Sequence, residues 1–66
     1  MTLTKREIEV LKTHKENNFI VNLTATELCL THETIDSHLA RIRKKLGKPN
    51  TPAACLEAIR NGIIPL

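Results

Sequence analysis

Thr31-His32-Glu33-Thr34-Ile35-Asp36-Ser37-His38-Leu39-Ala40-Arg41-Ile42-Arg43-Lys44-Lys45-Leu46-Gly47 reads as a single helix with both ends marked. Thr31 is placed to accept from the orphan amides of a first turn, and Gly47 supplies a left-handed stop. Ile35, Leu39, Ile42 and Leu46 recur at helical spacing and gather on one side of a wheel drawn at about 100° per residue. Glu33, Ser37, Ala40, Arg41 and Lys44 point the other way, with Asp36 and Arg43 on one flank. The outward face is thus acidic toward its start and basic toward its end, and it suits contact with an anionic surface.

On the N-terminal side, Leu23, Leu28 and Leu30 with the small Ala25 predict a short helix over 21–28, capped by Asn22 or a neighbour. Phe19 to Val21 is β-branched enough to suggest a strand, yet no partner with period-two alternation exists elsewhere in the chain. Two short helices joined by so tight a turn, the second carrying the basic cluster, have the layout of a helix-turn-helix. Further upstream, Thr4 and Glu7 fit a capping box with Leu3 as a staple, and the run over 5–17 is rich in helix formers. Its inward residues are Ile8, Val10 and Leu11, with His14 as a hydrogen-bonded edge residue, and Asn17-Asn18 reads as its stop. Downstream, Lys48-Pro49-Asn50 connects to a fourth helix over 52–61, with Thr51 as cap, Pro52 in the first turn and Gly62 as stop. Leu56, Ile59 and Ile63 are assigned to the core, while Ala54, Cys55 and Ala58 form a smooth second face suited to pairing two copies. The predicted architecture is all-α, four helices over 5–17, 21–28, 32–46 and 52–61 in a single domain spanning 1–66.

The composition agrees with that economy. A chain of 66 residues buries only about 60% of the surface its unfolded form exposes. With one Phe and no Trp or Tyr, burial rests on aliphatic side chains, which favours packed helices over a sandwich or barrel. The net charge is +3, and five of the ten basic residues, Arg41, Arg43, Lys44, Lys45 and Lys48, fall within eight positions. Lys5, Arg6, Lys12 and Lys15 supply most of the rest. No signal peptide is legible at the start, and no apolar run approaches the ~20 residues that a membrane span needs. A cytoplasmic protein with no membrane partner is the expectation. Cys29 and Cys55 are read as partly buried free thiols, and the His and Cys spacing does not follow a zinc-finger pattern, so neither metal nor cofactor is expected. An enzyme is not expected either, because no nucleophile with a base, paired carboxylates or Gly-rich phosphate loop is present. Single-stranded RNA recognition lacks the aromatic platforms it uses.

The chain as a whole resembles the LuxR-type (GerE-like) DNA-binding domain. Leu3-Thr4-Lys5-Arg6-Glu7-Ile8-Glu9-Val10-Leu11 looks like the opening helix of that family, and Ala25 and Leu28 sit where its second helix wants them. Thr34, Ile35, His38, Ile42 and Lys45-Leu46-Gly47 follow the third-helix pattern, and Ala54, Ala58, Ile59, Gly62 and Ile63 continue it through the fourth. The resemblance implies that the third helix enters the major groove, that its exposed residues read bases, and that the fourth pairs two subunits. The departures cluster at the reading face, where Glu33 and Asp36 stand at positions that are often Lys or another donor. One residue is also added between the first two helices, Asn18 stands where Gly is expected, Thr51-Pro52 replaces an Arg and the residue after it, and Thr24 occupies a normally apolar position.

These readings predict a sequence-specific regulator of transcription that binds double-stranded DNA as a dimer. Glu33, Asp36, Ser37 and Ala40 face base edges, and Lys5, Arg6, Arg41, Arg43, Lys44 and Lys45 hold phosphates. The alternative is a helix-turn-helix protein that does not bind DNA but pairs with a larger LuxR-type regulator and modulates it. A promoter-reading domain of sigma-factor type has similar helices, but its fourth helix fits less well. His38 borders the apolar face, where packing with one hydrogen bond is expected in preference to a phosphate contact.

Overall fold

The computed structural model describes residues 3–66, which form four helices: α1 (Lys5–Glu16), α2 (Val21–Leu28), α3 (His32–Leu46) and α4 (Thr51–Arg60). No strand occurs among the described residues. Helix α3 packs against the other three and is the axis of the fold. Its apolar stripe explains this role, since Ile35, Leu39 and Ile42 are buried and Leu46 half-buried against the other helices, while Glu33, Ser37, Ala40, Arg41 and Lys44 face solvent. Val10 and Leu11 of α1 close the core from one side, together with Leu3 just before the helix. Each such side chain contributes about 1.5–3 kcal/mol on burial, so a handful of aliphatics has to hold this domain.

The helix ends follow the predicted chemistry with two exceptions. Thr4 Oγ1 accepts from the Glu7 amide at 3.1 Å while Glu7 Oε1 accepts from the Thr4 amide at 2.9 Å, a complete capping box. Thr31 Oγ1 accepts from the Thr34 amide at 3.1 Å, and Gly47 ends α3 at φ +66°. At α4 the cap is Asn50, whose Oδ1 accepts from the Ala53 amide at 2.9 Å. The helix therefore begins one residue before the expected position, with Thr51 inside it. Helix α2 starts from Ile20 with no side-chain cap, and Asn22 lies within the helix.

Two consecutive left-handed residues, Asn18 (φ +56°) and Phe19 (φ +62°), turn the chain between α1 and α2. Asn tolerates that conformation and Phe does not readily. Compensation comes from the Phe19 amide donating to His14 O at 2.8 Å and from its ring meeting that of His14 edge to face, centroids 5.5 Å apart.

Helix α4 turns its small residues fully inward, with Ile59 and Ile63 packed at the margin of the core and Leu56 facing out. Ala54, Cys55 and Ala58 are fully or almost fully buried, and Leu56 is 59% exposed with Ile59 and Ile63 half-buried. The face assigned to subunit pairing is thus interior and unavailable to a partner, and Leu56 is not a core residue. Small side chains let α4 come close to α3 and α1. The bulk that Leu56 does not provide comes from Ile64, buried after the chain turns at Gly62 (φ +72°).

Candidate nucleic-acid interface

The turn between α2 and α3 is three residues long, Cys29-Leu30-Thr31. Cys29 takes the left-handed conformation at φ +57°, and the Leu30 amide closes the end of α2 by donating to Ala25 O at 2.9 Å. A helix end of this kind is usually closed by glycine. The result presents α3 across α2 with its outward face in solvent: Glu33, Asp36, Ser37, Ala40, Arg41 and Lys44 are all exposed. The predicted base-facing set therefore lies together on one surface. Asp36 is tied within its own helix, its carboxylate 3.2 Å from His32 Nδ1 one turn earlier. It also lines the wall of a groove of about 430 Å³ with Leu39, Arg43, His14 and Phe19.

The six predicted phosphate contacts divide. Lys5, Arg41 and Lys44 are exposed and belong to no ion pair among the described residues. Arg6 meets Glu9 at 2.5 Å on the surface, a pair of the kind worth at most about 1 kcal/mol and readily exchanged for another anion. Arg43 is half-buried and donates through Nη1 to Thr51 Oγ1 at 2.9 Å, joining α3 to α4. Lys45 turns inward. Its Nζ lies 2.6 Å from Oε1 of Glu7, whose side chain is 5% exposed, so this cation is committed to the interior contact between α3 and α1. Burial alone would push the Glu7 carboxyl up, but hydrogen bonds from Lys45 and from Thr4 outweigh it and hold it below its ordinary value.

A further polar pairing escapes a reading of the sequence. His14, read as an edge residue, is 2% exposed, and its Nδ1 lies 2.7 Å from Thr24 Oγ1. Burial depresses its pKa, opposed in part by the Asp36 carboxylate across the groove. Thr24 itself is fully buried, which explains a hydroxyl at an apolar position of α2. No periodicity links positions ten residues apart on different helices. The capping motif pointed to Glu7 but not to a lysine far along the chain.

His38 is half-buried, and its Nδ1 is shielded and without a hydrogen-bond partner among the described residues. Both cysteines are free; Cys29 is exposed, while Cys55 is buried and its thiol is pushed up by burial despite the influence of Lys15. Among the described residues no cluster of His, Cys, Asp and Glu is arranged to hold a metal, and no helix is long and apolar enough to cross a membrane.

A four-helix domain in which the second helix of a tight helix-turn-helix turns a polar, partly basic face outward is the architecture of a DNA-binding regulator. Residues 1–58 match the family described as bacterial regulatory proteins, luxR family. The chain belongs to that family of DNA-binding transcription regulators. No curated protein and no solved structure is significantly similar to it.

Proposed function

We propose that this protein is a sequence-specific regulator that binds double-stranded DNA with α3 in the major groove, Glu33, Asp36, Ser37 and Ala40 toward base edges. The observation that carries this reading is the outward face of α3, exposed along its whole length and ending in Arg41 and Lys44, cations in no ion pair among the described residues. Lys5, Arg6, Arg41 and Lys44 are the phosphate contacts, because Arg43 and Lys45 are spent on internal bonds. No enzymatic role is part of this reading, and DNA as the partner favours a cytoplasmic location. Two copies pair through the outer face of α4 around Leu56, whose exposure supports an apolar contact there.

The experiment is a salt titration of binding to duplex DNA. Four phosphates neutralised per subunit give a slope of log K against log salt of about −3.6, roughly a hundredfold loss between 50 and 200 mM. A flat response would reject the reading. The second reading, a partner-binding protein that modulates a larger relative, draws support from the exposed carboxylates of Glu33 and Asp36. It predicts self-association or hetero-association through α4 with no duplex affinity even at low salt.

A further inference from the structure

Of the outward residues at the start of α3, only Glu33 brings a charged group with no partner of its own. It is exposed and enters no ion pair among the described residues, whereas Asp36 is engaged by His32. Ser37 both donates and accepts, and Ala40 offers a methyl group. An ionised carboxylate only accepts hydrogen bonds. In the major groove guanine presents two acceptors, thymine an acceptor and a methyl, and adenine a donor beside an acceptor, while cytosine presents its amino group. Three of the four bases therefore place an acceptor against this carboxylate.

We propose that Glu33 selects a cytosine by accepting the groove-facing hydrogen of its N4 amino group, an assignment that rests on the DNA-binding reading above. The position suits the role, since residues near the start of a recognition helix are those that reach base edges. Arg41 and Lys44 lie about 12 and 16 Å further along the helix axis, so the cations that hold the backbone are well separated from the carboxylate. The same charge repels phosphates and the acceptor edges of wrong bases, so Glu33 contributes specificity largely by weakening binding elsewhere. A carboxylate in a first turn also complements the helix dipole, but that role leaves base preference untouched.

The test selects bound duplexes from a random pool with the full chain, then measures affinity for the selected site and for single changes in it. The expected result is one strongly preferred cytosine. Replacing it with thymine, or with N4-methylcytosine, which puts a methyl in place of the groove-facing hydrogen, weakens binding about ten- to a hundredfold. Glu33→Ala loses that discrimination while binding random duplex more tightly, and Glu33→Gln, which keeps the shape, shifts the preference to adenine. Identical base preferences in the wild type and both variants, alongside steep salt dependence, would overturn the Glu33 assignment alone. Absence of any duplex binding at low salt would overturn both it and the DNA-binding reading.

Discussion

The imidazole Nδ1 of His14 and the hydroxyl of Thr24 meet at 2.7 Å in the interior, joining α1 to α2. Thr24 Oγ1 also lies 3.2 Å from Ile20 O, to which it donates its one proton. With that proton given to Ile20 O, the hydroxyl is left to accept from His14 Nδ1. Each of these polar residues makes the other tolerable in a core with little polar capacity. Thr24→Val keeps the shape but strands the imidazole donor, and it should cost about 1–3 kcal/mol in urea unfolding. Adding His14→Leu to that variant should cost less than the sum of the two single changes.

The same histidine makes stability depend on pH. Burial lowers its pKa in the folded chain, so the unfolded chain binds the proton more tightly. The contribution is full above about pH 6.5, the unfolded value, and is lost as pH falls from there through the depressed folded value. Thermal midpoints should therefore decline between neutral and mildly acid pH, and His14→Leu should flatten that decline. Glu7, held below its ordinary value, adds a second loss at lower pH, beginning below about 4.5. A variant lacking His14 that still declined as steeply from pH 7 to 5 would show that another group titrates.

Lys45 and Lys44 are neighbours in sequence with different tasks. Lys45→Met leaves the buried Glu7 carboxylate without its cation and should destabilise the domain by about 2 kcal/mol, less than a fully enclosed pair because the lysine is partly in solvent. Lys44→Ala should leave stability almost unchanged and reduce the salt slope of DNA binding by about 1. Chemical denaturation and a salt titration on both variants separate the roles.

Cys29 carries a side chain through a left-handed turn. Cys29→Gly removes a strain of about 1–2 kcal/mol and adds flexibility to the unfolded chain, for a net gain of about 0.5 kcal/mol. Cys29→Val, β-branched at the same position, should lose about 1–2 kcal/mol. Denaturation midpoints that moved the other way for either variant would contradict the turn geometry.

On α4, Ala58→Leu forces extra volume into a fully buried site and should destabilise the monomer by about 1–3 kcal/mol. Leu56→Lys should leave the fold intact and, in sedimentation experiments, weaken the self-association proposed for this face. If Ala58→Leu instead altered association with no loss of stability, the packing of α4 would be the reverse of that described.

The sequence alone determined the four helices and their order, because caps, stops and apolar spacing are local signals. Thr4, Thr31, Gly47 and Gly62 act on residues within a turn of themselves, and the stripe from Ile35 to Leu46 identifies the buried face of α3 without reference to any neighbour. The outward placement of Glu33, Ser37, Ala40, Arg41 and Lys44 followed from the same periodicity. Only the tertiary structure decided which partners those helices chose. Both faces of α4 are apolar, so its orientation depended on the space left between α1 and α3, which small residues fill more closely than Leu56 does. Among the basic residues, charge alone could not distinguish Lys45 from Lys44, since the difference is a carboxylate delivered from α1. His14 and Thr24 likewise become a pair only when two helices cross, and hydrogen bonds between residues distant in sequence leave no periodic trace in it.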